Sequence, residues 1–183
     1  MKKINQFLAL FFSMWLGFSI NSSAQQFYTV ELAQKAIFQD ADSFKLNPVS
    51  LTSDQVSKVK SASGTGTPIP EKKIWQVLQA DKQVGWFIVD EVYGKHEFIT
   101  YAVGINLDGT VRMIEILDYR ETYGYQVREA GWRNQFVGKN ANSNLKLDKG
   151  IDNISGATLS CKHLADGVKR VLALYDVVLK NPH

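Results

Sequence analysis

The middle of the chain holds four apolar segments joined by very short connections, and this arrangement limits the possible folds more than any other feature. The segments span residues 73–80, 84–93, 97–106 and 110–119, with turn signals at Asp81-Lys82, Gly94-Lys95 and Asp108-Gly109. Parallel neighbours need a long crossover, whereas antiparallel strands need only a tight turn. The sequence therefore predicts a four-stranded antiparallel meander.

The fourth segment predicts how this sheet is covered. Strict alternation places residues 111, 113, 115, 117 and 119 on one face and residues 112, 114, 116 and 118 on the other. Each set mixes apolar and charged side chains. We therefore expect both faces of the sheet to be partly covered.

Helical patterns flank the sheet. One starts at Thr29 and places apolar residues at helical spacing as far as Phe44, and a second starts at Thr52 with Gln55 as a capping box. After the sheet, Gly124 breaks the chain, a short helix is expected around 127–136, and 145–151 is a possible strand. The last pattern, from 164 to 179, is the clearest helix, for which Ser160 is the predicted N-cap and Leu159 and Leu164 a hydrophobic staple. The predicted fold class is α+β, an antiparallel meander packed with helices.

The first residues have the pattern of a secretory signal peptide. Lys2 and Lys3 precede an apolar run from Phe7 to Ile20, and Ser22 and Ala24 occupy the small positions of a cleavage site. The run is shorter than the roughly 20 residues that cross a bilayer core. We predict a signal peptide over 1–24 and a periplasmic protein, with an uncleaved inner-membrane anchor as the alternative. Residues 25–70 are then a helical segment and linker, which forms one compact unit with a domain over 71–183.

Charge and cysteine content exclude several classes of protein. The chain has 21 basic and 18 acidic residues. Removal of Lys2 and Lys3 with the signal peptide leaves 19 basic residues (21 minus 2), so the net charge of the exported chain is close to zero. No basic stripe supports nucleic-acid binding. Cys161 is the single cysteine, which leaves no internal disulfide and no cysteine-based zinc site. If it begins the last helix, we expect a packed thiol whose pKa the helix N-terminus lowers.

The stretch "DNISGATLS", residues 152–160, stands directly before the last helix. A helix N-terminus offers free N–H groups and partial positive charge, which suit a phosphate. Gly156 permits close backbone approach and Ala157 adds no bulk, while Lys162 in the first turn would add charge. The alternative is an ordinary cap preceded by a turn of small residues, and the residues alone leave both open.

The same stretch closely resembles the flavinylation motif of the FMN-binding domain family. That family includes the covalent-FMN subunits C of the sodium-translocating NADH:quinone reductase and G of the Rnf complex. The resemblance implies that Thr158 carries FMN through a phosphoester bond, with Asp152, Ser155, Gly156 and Ala157 at the other motif positions and Ser155 and Ser160 holding the phosphodiester. Asn153 stands where the family often has Gly.

A second stretch, "ETYGYQV" at residues 121–127, resembles the place where family members carry Glu-Thr-Pro-Gly, although Tyr123 replaces the Pro. "WRNQFVGK", residues 132–139, also fits the spacing between the two motifs. By family position, Glu121, Thr122 and Gly124 line the ribityl and ring region of the flavin. The alternative for Glu121 is a solvated loop carboxylate.

The resemblance also implies partners. Thr158 has no histidine beside it in sequence to activate its hydroxyl, so self-modification is not expected. The resemblance implies a separate flavin transferase that uses FAD and magnesium. A redox donor and acceptor, which can be membrane-associated, complete an electron-transfer role rather than that of a stand-alone enzyme. The alternative function is an exported ligand-binding or scaffold domain without a redox role. A hydrolase triad or a histidine metal site has little support, since His96, His163 and His183 lack suitable spacing.

Overall fold

A five-stranded antiparallel sheet forms the centre of the molecule, in a computed structural model that describes residues 28–65 and 73–181. The strands follow chain order across the sheet, and each pairs with the next. They are β1 Ser43–Leu46, β2 Ile74–Gln79, β3 Lys82–Tyr93, β4 Phe98–Asn106 and β5 Val111–Tyr119. The predicted meander of four strands is confirmed, and β1 adds a short edge strand that the sequence prediction missed.

Within the described residues, four α-helices pack around the sheet. They are α1 Val30–Ile37, α2 Ser53–Ser63, α3 Ala130–Arg133 and α4 Thr158–Leu174, and a π-helical turn, Tyr175–Leu179, extends α4. The predicted capping box of α2 is confirmed, because Thr52 Oγ1 accepts from the Gln55 N–H at 3.2 Å and Gln55 Oε1 accepts from the Thr52 N–H at 2.9 Å. The α+β prediction is therefore confirmed.

Some predicted element boundaries were wrong. The first helix ends at Ile37 rather than continuing to Phe44, which lies in β1 and packs edge-on against Phe38 and Phe87. Residues 145–151 form no strand, only an isolated bridge between Leu147 and Ile151. The first hairpin turn is Ala80-Asp81, one residue earlier than predicted. Both turn residues have positive φ, 47° and 59°, as expected for a two-residue turn of type I′.

Two bulges in β5 overturn the strict alternation that the sequence predicted. Tyr101 pairs with Ile116 and Thr100 with Asp118, while Gly104 pairs with Met113 and Ile105 with Val111. Leu117 and Arg112 are therefore extra residues, and each one changes the phase of the side chains. The face toward the larger core consequently combines residues from both predicted sets: Val111, Ile114, Ile116 and Tyr119.

Separate apolar clusters cover the two faces of the sheet, as predicted. The larger cluster lies under α4 and includes Trp86, Tyr101 and Leu164. The smaller one lies under α1, where Ala33 and Ile37 pack with residues of the sheet. Packing on the larger cluster fixes the position of α4, whose N-terminal end lies near the turn between β3 and β4.

The signal peptide predicted over 1–24 lies outside the described residues, as do residues 66–72 of the predicted linker. Within the part of the chain that is described, no helix is both long enough and apolar enough to cross a membrane.

Candidate functional site

A cleft of about 310 Å³ lies where three segments meet: the turn between β3 and β4, the segment after β5, and the start of α4. Its size falls at the lower end of the range for small-molecule sites. Both sequence motifs contribute to it. The lining residues are Lys95, His96, Glu121, Thr122, Tyr123, Gly156, Ala157, Thr158, Leu159 and Ser160.

Helix α4 begins three residues earlier than predicted, and this corrects the role of Ser160. The N-cap is Ala157, which has no side-chain oxygen and makes no side-chain cap. Ser160 is the third helical residue and is buried, with 3% exposed. Leu159 is 44% exposed while Leu164 is fully buried, so the predicted staple is wrong. The N-cap residue therefore provides no side-chain hydrogen bond to the N–H groups in the first turn of α4.

The turn before α4 is fixed through its backbone. The Asp152 N–H donates to Gln135 Oε1 at 2.7 Å, and Trp132 Nε1 donates to the Asp152 carbonyl at 2.8 Å. The Ala157 N–H donates to the Ile154 carbonyl at 2.9 Å. Gly156 has φ 83°, and a Cβ at that position would meet nothing within 4 Å. The turn is ordered, yet open space remains over Gly156.

Thr158 presents its hydroxyl at the first position of α4, where the residue is exposed. Asn153 Nδ2 donates to Thr158 Oγ1 at 3.1 Å. The predicted partners Asp152 and Ser155 are also exposed but do not line the cleft. The structure therefore brings Gly156, Ala157 and Thr158 into the cleft and leaves the other two at its margin.

Direct packing joins the two motifs. Gly124 has φ 83°, and a Cβ there would lie 2.2 Å from the Ala157 Cβ and 2.7 Å from the Tyr119 hydroxyl. Only glycine fits both this backbone conformation and this approach. Gly124 therefore lies behind the cleft, holding the two segments together, rather than lining it as predicted.

The carboxylate of Glu121 holds the opposite wall. Its Oε1 accepts the backbone N–H groups of Lys95, His96 (2.7 Å) and Glu97 (3.2 Å). Burial opposes ionisation of Glu121, but these donors outweigh it and lower the pKa of the carboxyl. Glu121 lines the cleft, and its carboxylate is directed at the β3–β4 turn. The alternative of a solvated loop carboxylate does not describe it.

Tyr119 forms part of the floor beneath both motifs. Its hydroxyl donates to the Tyr123 carbonyl and lies 3.4 Å from Ser160 Oγ. Burial raises the pKa of Tyr119, so the phenol stays protonated at neutral pH and keeps its donor. Ser160 is thus tied to the core of the protein on its hydroxyl side, although it still borders the cleft.

Sequence reasoning missed four residues of the cleft: Lys95, His96, Tyr123 and Leu159. The Gly94-Lys95 turn was predicted, but no local signal indicates that this turn folds against a segment 25 residues later. That contact depends on the length of the strands and on the Glu121 side chain. A carboxylate after the last strand can accept hydrogen bonds from free N–H groups in a turn. The sequence does not indicate which turn it contacts, and the structure shows that it is the β3–β4 turn.

Two residues of α4 differ from expectation. Cys161 is the fourth helical residue and fully buried, so burial raises the pKa of its thiol instead of the helix end lowering it. Lys162 lies beyond the first turn and pairs with Asp166 at 2.7 Å, which removes it from the predicted anion site. Across 28–65 and 73–181, no group of three or more His, Cys, Asp or Glu side chains is placed to hold a metal ion.

The chain is similar in sequence or structure to known proteins. Residues 94–173 match the family model described as an FMN-binding domain. Over 162 residues the chain is 25% identical to the G subunit of the Na(+)-translocating ferredoxin:NAD(+) oxidoreductase complex of Acetobacterium woodii, a match that covers 83% of this chain and 76% of that one. The crystal structure of Shewanella oneidensis NqrC is 17% identical, with a TM-score of 0.45, and the match covers 78% of this chain and 68% of that chain.

Proposed function

Residues 94–173 are a domain of the FMN-binding domain family, and from this premise we propose that the protein carries FMN covalently on Thr158 and transfers electrons between redox partners outside the cytoplasm. The phosphoester bond to Thr158, the export and the partners are parts of this proposal. The observation that carries it is the position of the Thr158 hydroxyl, exposed at the start of α4 and at the edge of the cleft.

The residues of the cleft fit a flavin phosphate. The first turn of α4 lacks a side-chain cap, so its N–H groups and the helix dipole are available to an anion. The space over Gly156 is open, and a side chain there would occupy it. Gly156 and Thr158 would hold the phosphate, and Glu121, Thr122 and Tyr123 would border the remainder of the group.

When bound, the flavin supplies the electron-transfer chemistry, and the protein supplies binding and orientation. Glu121 keeps the β3–β4 turn against the cleft, so Lys95 and His96 form one wall. Gly124 and Ala157 hold the two motifs in contact. Tyr119 contacts both segments from below, because its hydroxyl donates to the Tyr123 carbonyl and lies 3.4 Å from Ser160 Oγ.

Attachment requires a second protein. Thr158 Oγ would attack the flavin-side phosphorus of FAD, the bond from that phosphorus to the bridging oxygen would break, AMP would leave, and the Thr158 proton would pass to a base. The hydrogen-bond partner of the Thr158 hydroxyl is a carboxamide, which cannot serve as that base. A flavin transferase with FAD and magnesium therefore fits this site. The exposed Asp152 carboxylate is our candidate for helping the transferase, by accepting the proton or positioning the metal.

The decisive experiment is co-expression with a flavin transferase, followed by mass spectrometry of peptides. We expect an FMN adduct on the peptide that contains Thr158, its loss in Thr158→Ala, and partial labelling of Thr158→Ser, which lacks the methyl that restricts the rotamer. Ser57→Ala, which removes an exposed hydroxyl on α2, is the matched control and should label fully. Asp152→Ala should fold and label poorly.

Two outcomes would contradict the proposal. Flavin that survives acid precipitation of Thr158→Ala would place the bond elsewhere. A colourless wild-type protein after co-expression would favour a binding or scaffold domain without a redox role. Because covalent attachment makes flavin binding intramolecular, Thr158→Ala should hold free FMN only weakly.

The cellular location has its own test. N-terminal sequencing of protein from the cell envelope should begin at or near Gln25. Full-length protein that remains in membranes after a salt wash would indicate an anchor instead.

A further inference from the structure

We propose that Asn153 is a positioning residue for Thr158: its carboxamide fixes the hydroxyl in the orientation from which Oγ attacks the flavin phosphorus. This inference rests on the proposed attachment of FMN to Thr158. It concerns a residue outside the matched motif positions.

The contact is direct and comes from a fixed segment. Asn153 Nδ2 donates to Thr158 Oγ1 at 3.1 Å, across the turn that contains Gly156. The residue before it, Asp152, is held at its N–H by Gln135 and at its carbonyl by Trp132. The donor therefore starts from an ordered backbone, and the turn alone does not have to define the threonine rotamer.

The carboxamide oxygen of Asn153 has no hydrogen-bond partner among the described residues. This atom, Asn153 Oδ1, is buried. A buried acceptor without a partner lowers stability, and such groups in folded proteins call for an explanation. In the described residues, the bond to Thr158 is the one that the Asn153 side chain makes. Asn153 therefore serves the threonine rather than the stability of the fold.

The geometry has a clear consequence for reactivity. A threonine hydroxyl has two lone pairs and one proton. Donation from Nδ2 occupies one lone pair, which leaves the second for attack on phosphorus and turns the proton away from Asn153 toward solvent. A threonine at the first helical position has more than one rotamer available, so this bond selects one of them. Such orientation raises the fraction of encounters that are productive.

The first test uses the unmodified protein and requires no flavin. Three-bond couplings of Thr158, measured by NMR on isotope-labelled protein, should report one dominant χ1 rotamer in the wild type. In Asn153→Gly they should report averaging, with the circular dichroism spectrum unchanged. A single rotamer in Asn153→Gly would overturn the proposal, because the backbone would then suffice.

The second test measures the rate of labelling with purified transferase, FAD and magnesium. Asn153→Gly should label ~3- to 10-fold more slowly than wild type, the effect of losing one neutral hydrogen bond. Asn153→Asp keeps the shape but cannot donate when ionised, and its charge repels the phosphate, so its loss should be larger. Asn142→Asp adds the same charge in an exposed loop and should label at the wild-type rate.

The outcomes separate this inference from the proposed function. Wild-type labelling with unchanged rates in both Asn153 variants would overturn the role of Asn153 and leave FMN attachment intact. An unlabelled wild type would overturn both. Equal slowing in Asn142→Asp would show a general charge effect and would also contradict the role of Asn153.

Discussion

The two ends of helix α4 differ in whether their polar groups are exposed or are buried and hydrogen-bonded. At its start, Thr158 is exposed and Ala157 provides no side-chain cap. Toward its end, Arg170 is 5% exposed and donates to Asp90, which is 1% exposed and also accepts from the Tyr101 hydroxyl at 2.6 Å. The start of α4 has N–H groups without a side-chain cap, whereas Arg170 near its end pairs with the buried carboxylate of Asp90.

This difference indicates which part of the helix serves stability and which serves binding. A buried charge is tolerated only with partners, and Asp90 has both Arg170 and Tyr101. Burial raises the pKa of Tyr101 well above its usual value, with the nearby Asp90 charge adding to the effect, so Tyr101 remains a donor. An open helix end costs little in solvent, because water satisfies its N–H groups. Substitutions along α4 should therefore have graded effects.

The largest expected effect is at the buried end. Arg170→Ala leaves Asp90 without its cation inside the core, and removal of one partner from a buried ion pair costs about 3–5 kcal/mol. Urea unfolding followed by circular dichroism measures this loss. The matched control is Lys162→Ala, which removes a partner from the exposed Lys162–Asp166 pair of the same helix and should cost about 0.5 kcal/mol. Similar losses in both variants would refute the contrast between the two ends.

A smaller effect is expected where the open end meets the preceding motif. Gly124→Ala places a Cβ against Ala157 and requires an alanine at φ 83°. We expect a loss of about 2 kcal/mol together with reduced flavin labelling, since the wall of the cleft must move. Gly138→Ala is the control, because Gly138 has φ 75° but nothing within 4 Å of an added methyl group. It shares the backbone strain and lacks the clash, so only Gly124→Ala should impair labelling.

The sequence predicted the elements of this contrast better than their boundaries. Periodicity identified α4 because its buried residues, such as Leu164 and Val168, repeat at helical spacing. The start of the helix was misplaced because Ser160 is a favourable N-cap residue and Ala157 is a poor one. Tertiary contacts override this preference, since Ser160 is buried and its hydroxyl lies 3.4 Å from the Tyr119 hydroxyl. The motif residues were found by resemblance, whereas Lys95 and His96 depend on a long-range contact that leaves no local pattern.

The next prediction concerns the wall opposite α4 and depends on pH. The folded protein lowers the pKa of Glu121, so the ionised carboxylate contributes stability above its ordinary pKa of about 4.3, and that contribution is lost as pH falls through the lowered value. Glu121→Gln should lose about 1 kcal/mol or less at neutral pH, and this deficit should shrink as the pH falls through the lowered pKa of the wild-type carboxyl. Urea unfolding at neutral pH and in acid tests this. A deficit that persists unchanged in acid would show that charge is not the cause.

The smallest effect on stability is expected at Thr158 itself. Thr158→Ala loses the hydrogen bond from Asn153 but places a better helix former in the first turn of α4. These contributions oppose each other at an exposed position, so the free energy of unfolding should change by less than about 0.5 kcal/mol. The same variant should lose all covalent flavin. Thr158→Ala is thus expected to impair binding with little loss of stability, whereas Arg170→Ala is expected to lower the stability of the fold. A loss above about 2 kcal/mol in unlabelled Thr158→Ala would show that the open end of α4 is also structural, and the division of the helix into a stabilising end and a binding end would fail.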